Sequence, residues 1–127
     1  MSSDFSNLKI LVVEDNESNI MFFKSALKRT GASLIIVVDG EQAIETVKNT
    51  DDIDIVLMDI NLPKLDGLAA TREIKKIRPT LPVIIQTAYV LNFKEAECYE
   101  AGCDFFIEKP IRLNVLNEAI TKLVNKN

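Results

Sequence analysis

Histidine is absent from the 127-residue sequence. This absence excludes Ser-His-Asp and Cys-His catalysis, histidine-ligated zinc, and any role as a histidine phosphodonor. The two cysteines, Cys98 and Cys103, lack a Cys-x-x-Cys spacing, which favours free thiols that pack in the interior of a protein from a reducing compartment. We therefore expect neither a disulfide nor a thiolate-bound metal.

Basic charge and long apolar runs are also scarce. The chain has 15 Lys and Arg residues against 19 Asp and Glu residues, a net charge of -4 that argues against direct nucleic-acid binding. No run approaches the roughly 20 apolar residues that span a bilayer. The first residues lack the basic and apolar regions of a signal peptide. We expect one cytoplasmic domain with no membrane insertion.

Five short apolar runs alternate with segments of helical period. The runs are continuous, which is typical of strands covered by helices on both faces. They are Ile10–Val13, Leu34–Val38, Ile55–Met58, Val83–Ile85 and Phe105–Ile107. The alternation predicts an α/β fold with a five-stranded parallel sheet and right-handed crossovers.

The intervening segments carry apolar stripes that predict amphipathic helices. The stripes are Ile20, Phe23 and Leu27; Ala43, Ile44 and Val47; Ala70, Ile74 and Ile77; and Leu113, Leu116, Ile120 and Leu123. Asn16 and Asp66 are predicted N-caps, and Gly31 is a predicted helix end. The segment from Asn92 to Ala101 is the weakest, since only Phe93 and Ala96 share an apolar face. It is either a helix that a partner completes or a short edge helix with modest burial.

Polar residues follow four of the predicted strands. They are Glu14-Asp15, Asp59, Thr87 and Lys109. Taken singly, each is explained by capping, packing or solvation. In an open parallel sheet, however, ligands bind beyond the carboxyl ends of the strands. Polar residues at four of these ends therefore indicate a ligand-binding site.

The charges of these residues indicate what the site binds. Glu14, Asp15 and Asp59 place three carboxylates against the single ammonium of Lys109. Carboxylates at close range raise one another's pKa unless a cation intervenes. Oxygen ligands without His or Cys favour a hard ion such as Mg²⁺, which takes one or two carboxylates together with water and phosphate oxygens. The sequence therefore predicts a site that binds Mg²⁺ and handles a phosphoryl group.

The chain closely resembles the receiver domain of two-component response regulators. The matching segments are Ile10–Asn16, Met58–Gly67, Gln86–Ala88 and Gly102–Pro110, and the resemblance covers Leu8 to Val124. It implies a doubly wound, flavodoxin-like sheet of strand order 2-1-3-4-5 with helices on both faces. It also implies a single receiver domain over residues 1–127, with its core at about residues 8–124.

The resemblance also implies a role for each site residue. Asp59 corresponds to the phospho-acceptor, a carboxylate nucleophile that attacks a phosphohistidine. Asp15 and Asp59 correspond to Mg²⁺ ligands, with the Asn61 carbonyl as a third and Glu14 acting through water. Lys109 corresponds to the cation that pairs with Asp59 and then with a phosphoryl oxygen, so charge neutralisation and positioning supply the rate.

Two further residues correspond to a conformational switch in the family. Thr87 would donate its hydroxyl to the phosphoryl group, and Phe106 would move into the space that the Thr87 loop leaves. Ordinary core packing explains Phe106 equally well. The Lys109-Pro110 bond is a candidate cis peptide, and Asn61 and Tyr89 lie where the family tunes the phosphoryl lifetime.

Three other functions compete with this hypothesis. An aspartyl phosphatase on a similar fold usually has a second Asp two residues after its nucleophile, where this chain has Asn61. A flavin binder would need a hydroxyl-rich and Gly-rich phosphate loop, not the acidic segment that begins at Glu14. A pseudo-receiver scaffold would lack a key residue, and none is lacking.

The resemblance finally implies partners. We expect a regulatory domain rather than an independent enzyme, phosphorylated by a histidine kinase or a histidine phosphotransfer domain. A phosphorylation-dependent dimer or partner contact is expected through the face formed by residues 92–124. The local sequences Glu100–Cys103 and Lys109–Ile111 resemble those of receiver modules in hybrid histidine kinases. They favour such a module over a free-standing regulator.

Overall fold

The computed structural model describes residues 4–88 and 92–125, apart from the side chains of residues 92–94. Within these residues five strands alternate with five helices. The elements are β1 (Lys9–Val13), α1 (Glu17–Lys28), β2 (Ser33–Val37), α2 (Gly40–Asn49), β3 (Ile55–Asp59), α3 (Gly67–Ile77), β4 (Val83–Thr87), α4 (Asn92–Ala101), β5 (Phe105–Glu108) and α5 (Leu113–Val124). The predicted alternation is confirmed.

The strands form one parallel sheet in the order β2-β1-β3-β4-β5, which confirms the predicted topology. Because side chains alternate along each strand, the sheet buries apolar residues on both faces. One face packs against α2, α3 and α4, and the other packs against α1 and α5. We call these the α2–α4 face and the α1–α5 face.

Local chemistry fixes where the helices begin. Asn16 caps α1 by accepting a hydrogen bond from the Asn19 N–H at 3.0 Å, and Asp66 caps α3 by accepting from the Ala69 N–H at 2.9 Å. Each side-chain oxygen satisfies a backbone donor that the first helical turn leaves unpaired. After α1, Gly31 adopts a φ of 85°, a left-handed conformation that favours glycine.

Two apolar positions of the predicted helices are exposed. Ile77, the last residue of α3, is 37% exposed. Ala96 of α4 is also exposed, and α4 instead buries Cys98 and Ala101. Phe93 and Tyr89 lie outside the part of the chain whose side chains are described. Both cysteines are buried free thiols, as predicted.

Candidate functional site

The polar strand ends meet at one edge of the sheet. Glu14 follows β1, Asp59 ends β3, Thr87 ends β4 and Lys109 follows β5. Parallel pairing of β1 with β3, β3 with β4 and β4 with β5 brings these carboxyl ends side by side. The switch in strand order lies at β1 and β3, where α/β sheets form their ligand crevices.

Three carboxylates form a cluster at this edge. Oxygen atoms of Glu14, Asp15 and Asp59 all lie within 4.8 Å of one another. Glu14 is fully buried, Asp59 is 5% exposed, and Asp15 is exposed to solvent. One oxygen of Glu14 also accepts a hydrogen bond from the Asn16 N–H at 3.2 Å, so the turn into α1 orients this carboxylate.

Lys109 supplies the positive charge that faces this cluster. Its Nζ lies 3.2 Å from Glu14 Oε1 and 3.5 Å from Asp59 Oδ1. The Lys109 N–H donates to the Thr87 carbonyl at 2.8 Å, which ties the segment after β5 to the end of β4. The Lys109–Pro110 peptide bond is cis. The Lys109 side chain reaches the two buried carboxylates from the end of β5.

The protonation of Asp59 reflects an excess of negative charge. Burial, and then the charge of Glu14, raise the pKa of Asp59 from 3.8 to about 6, although Lys109 and the Asn61 N–H act in the opposite direction. Burial disfavours the charged form of a carboxyl group, and a neighbouring carboxylate does the same. One ammonium is therefore not enough to neutralise the site.

This donor set fits a magnesium ion. All three clustered side chains are carboxylates, and hard divalent cations bind oxygen ligands. The exposure of Asp15 leaves one side of the cluster open to water, which Mg²⁺ usually retains as a ligand. Asn61 is exposed, and its backbone N–H acts to lower the pKa of the Asp59 carboxyl group. The loop after β3 thus also contributes to the cluster.

A close backbone contact shapes that loop. The Gly67 N–H donates to the Ile60 carbonyl at 2.9 Å, so α3 begins directly against the end of β3. A Cβ atom at Gly67 would lie 2.1 Å from the Asp59 carbonyl oxygen, which leaves room only for glycine. Within the loop, Lys64 has a φ of 65° and its Nζ lies 3.8 Å from Asp39. The loop between β3 and α3 therefore packs directly against the Asp59 backbone.

Thr87 and Phe106 lie towards the α2–α4 face. Thr87 is buried, and its Cα pairs with that of Glu108 across the sheet. Phe106 is partly buried against the apolar cluster of this face. Side-chain alternation therefore places both predicted switch residues on the α2–α4 face of their strands.

Sequence comparison identifies the family to which this geometry belongs. Residues 10–121 match the model of the response regulator receiver domain. The chain belongs to this family. Receiver domains act in two-component signal transduction, so this receiver domain is a signalling module. Among the described residues, no helix has the length and apolar character needed to cross a membrane.

Several full-length relatives contain a similar domain. The receiver domain is 37% identical to Histidine kinase 5 of Arabidopsis thaliana, matching 94% of this chain and 16% of the kinase. It is 36% identical to the sensor histidine kinase RcsC of Escherichia coli, matching 94% of this chain and 12% of that kinase. A transcriptional regulatory protein, PhoP of Bacillus subtilis, is 30% identical, with 95% of this chain and 50% of PhoP matched. The receiver domain thus spans a minor part of the two kinases.

Solved receiver domains share the fold. That of the sensor histidine kinase PA1611 from Pseudomonas aeruginosa superposes with a TM-score of 0.87 at 32% identity, covering 94% of this chain and 98% of the other. It carries a magnesium ion coordinated in its active-site cleft. A response regulator receiver domain from Clostridium thermocellum also gives a TM-score of 0.87, at 29% identity, with 94% and 95% of the two chains covered.

Two features of the site were not predicted as functional. Gly67 belongs to a segment that matches the family, but its contact with Asp59 depends on how α3 folds back. Gln86 also belongs to a matching segment, and it is buried beside Asp59 in the sheet. The sequence signal for Gln86 is a polar residue that follows the three apolar residues of β4.

Proposed function

We propose that this receiver domain accepts a phosphoryl group on Asp59 from a phosphohistidine of a histidine kinase or a histidine phosphotransfer domain. The observation that carries the proposal is the position of the Asp59 carboxylate, at a strand end and 3.5 Å from the Lys109 ammonium. Oxygen atoms of Glu14 and Asp15 lie within 4.8 Å of it. An aspartate oxygen there is an available nucleophile with a cation already beside it.

The chain's own residues then have distinct tasks. Asp59 attacks phosphorus and forms the acyl phosphate, while the bond from phosphorus to the donor imidazole breaks. Lys109 neutralises charge on the phosphoryl oxygens, because its ammonium is already directed at Asp59. Glu14 and Asp15, together with Asp59 and the Asn61 carbonyl, would hold Mg²⁺, which supplies further charge neutralisation when bound.

The proposal is tested with acetyl phosphate and Mg²⁺. Intact-mass spectrometry should show one added phosphate that hydroxylamine removes, and Asp59→Asn should abolish it. Asp51→Asn is the matched control, since the Asp51 side chain is fully exposed in a distant loop. Uptake of the phosphate by folded Asp59→Asn protein would assign the acceptor to another residue. Phosphorylated histidine phosphotransfer protein as donor then tests the partner class.

We also propose that Thr87 and Phe106 transmit phosphorylation to the surface formed by α4, β5 and α5. Thr87 is buried at the end of β4, and Ile85, two residues earlier, pairs with Phe106. Tyr99, Phe105 and Val115 on this surface are 44%, 37% and 37% exposed, which is apolar area that a partner or second copy would cover. Thr87→Val should still take up phosphate but lose the phosphorylation-dependent change in hydrogen exchange of β5 and α5. An unaltered change would remove Thr87 from this role.

A further inference from the structure

Gln86 is a buried polar residue that the proposed function leaves unexplained. Its side chain is 2% exposed in a strand whose preceding residues are apolar. Among the residues that the structure describes, neither its Nε2 nor its Oε1 has a hydrogen-bond partner. Buried amide groups are normally paired, because an unpaired one destabilises the folded state.

The sheet places Gln86 directly beside the phospho-acceptor. The Cα of Gln86 pairs with that of Asp59 across β3 and β4, and the Ile60 N–H donates to the Gln86 carbonyl at 3.2 Å. Ile84 and Leu57, each two residues earlier on its strand, both pack in the α1–α5 cluster. Because side chains alternate along a strand, Gln86 and Asp59 share that face.

Lys109 is on the same face. Gln86 pairs with Ile107 across β4 and β5, and Lys109 lies two residues beyond Ile107. Both Gln86 and Lys109 border a cavity of about 210 Å³ between α1 and the segment after β5, together with Phe22, Phe23 and Pro110. The cavity gives the carboxamide room to turn towards its charged neighbours.

A carboxamide can serve both members of the Asp59–Lys109 pair. Its NH₂ group donates to a carboxylate, and its oxygen accepts from an ammonium. In the structure Asp59 and Lys109 instead face one another at 3.5 Å. A phosphoryl group on Asp59 would occupy that carboxylate and reorganise the Lys109 contacts. The Gln86 carboxamide oxygen would then accept a hydrogen bond from the Lys109 ammonium and keep it in place.

We propose that Gln86 is a positioning residue for phosphoryl transfer, whose carboxamide holds Lys109 when phosphorylation separates it from the Asp59 carboxylate. This inference rests on the proposed phospho-acceptor function of Asp59. Gln86 acts through Lys109 and contacts no substrate atom. Gln86 therefore stabilises the state in which the phosphoryl group is transferred to Asp59. It does not stabilise the resting state, in which its amide is unpaired.

The test replaces the amide by an apolar side chain of similar volume. Gln86→Met should unfold at a higher denaturant concentration than the wild type without metal, because it removes an unpaired buried polar group. Its rate of phosphorylation by acetyl phosphate with Mg²⁺ should fall about five- to tenfold, the value of one typical net hydrogen bond. Gln86→Leu provides a second variant if methionine packs poorly.

Thr71→Val is the matched control. Thr71 is fully buried on α3, and its Oγ1 also lacks a partner among the described residues. This variant should gain stability in the same way but keep the wild-type phosphorylation rate. A merely structural role for Gln86 predicts the same pattern for both sites.

The outcomes separate the inference from the proposed function. Slow phosphorylation of folded Gln86 variants, with normal Thr71→Val protein, supports the positioning role. Equal rates for wild type and both Gln86 variants overturn it and leave Asp59 as the acceptor. A wild-type protein that takes up no phosphate would overturn both.

Discussion

At the scale of single residues, the site is defined by an imbalance of charge at Asp59. Glu14 and Asp59 are buried, and Lys109 contacts both. The pKa of Asp59 nevertheless rises to about 6, because burial and Glu14 outweigh the ammonium. Without a second cation, the ionised Asp59 carboxylate therefore destabilises the folded state at neutral pH.

This imbalance predicts that Asp59→Asn stabilises the metal-free protein. An amide has the shape of the carboxyl group but no charge beside Glu14. We expect the free energy of unfolding at about pH 7.5 in EDTA to increase by about 1–3 kcal/mol, measured by urea denaturation. Asp51→Asn should change it little, because Asp51 is fully exposed.

The pH dependence provides the second half of this prediction. The folded pKa of Asp59 is about 6 and its ordinary value is 3.8, so the folded state binds more protons between these values. The Asp59 contribution to stability is therefore fully present below about pH 4 and is lost as pH rises through about 6. The advantage of Asp59→Asn should shrink towards pH 4. A variant less stable than the wild type at neutral pH would show that the Lys109 contact dominates.

At the scale of elements, a lysine near the end of α3 forms contacts with two other parts of the chain. The Lys75 ammonium donates to the Leu81 carbonyl and to Asp104 Oδ2, each at 2.7 Å. The same carboxylate oxygen accepts from the Val83 N–H at 2.9 Å. One lysine thus joins α3 to the start of β4 and to the turn before β5.

Replacing this lysine should have a larger effect than replacing its neighbour. Lys75→Met leaves Asp104 without its cation and Leu81 without its donor, and we expect a loss of about 1–3 kcal/mol in the free energy of unfolding. Lys76→Met, on the exposed side of α3, breaks only an exposed pair with Glu73. It should change stability by less than about 0.5 kcal/mol. Equal urea midpoints would contradict a stabilising role for Lys75.

The same elements show how far sequence reasoning extends. Apolar runs predicted every strand to within about two residues, and Asn16 and Asp66 predicted two helix starts, because these signals are local. The Lys75–Asp104 contact joins residues 29 positions apart and depends on how two elements pack. The burial of Gln86 and the contact of Gly67 with Asp59 are likewise tertiary. The juxtaposition of Glu14, Asp15, Asp59 and Lys109 was predictable because strand ends of a parallel sheet share one edge.

At the scale of the whole molecule, apolar packing and charge are separated in space. Both faces of the sheet bury apolar side chains, whereas Glu14 and Asp59 are buried at the edge where the strands end. Asp39, the other buried carboxylate among the described residues, caps α2 by accepting from the Gln42 N–H at 2.8 Å. Among the described residues, the buried carboxylates that lie together are therefore those of the site edge, where Glu14 and Asp59 share the single ammonium of Lys109.

A ligand that neutralises this edge should stabilise the entire fold. Mg²⁺ binding only to the folded state raises the free energy of unfolding by about 2.7 kcal/mol at a concentration one hundred times its dissociation constant. We expect Mg²⁺ to raise the midpoint of thermal unfolding of the wild type, at an ionic strength matched with NaCl. No phosphodonor is needed, so the measurement isolates the cation.

The Asp15→Asn variant tests whether this stabilisation comes from Mg²⁺ bound at the site or from general screening of the protein's charge. The Asp15 side chain is exposed but lies within 4.8 Å of Glu14 and Asp59, so Asp15→Asn removes a proposed ligand without opening the core. The variant should keep the wild-type midpoint in EDTA and lose most of the Mg²⁺-dependent increase. Asp51→Asn removes the same charge from a distant loop and should retain that increase. If both variants respond to Mg²⁺ like the wild type, the cation stabilises the protein by screening its net charge of -4, and Asp15 is not a ligand.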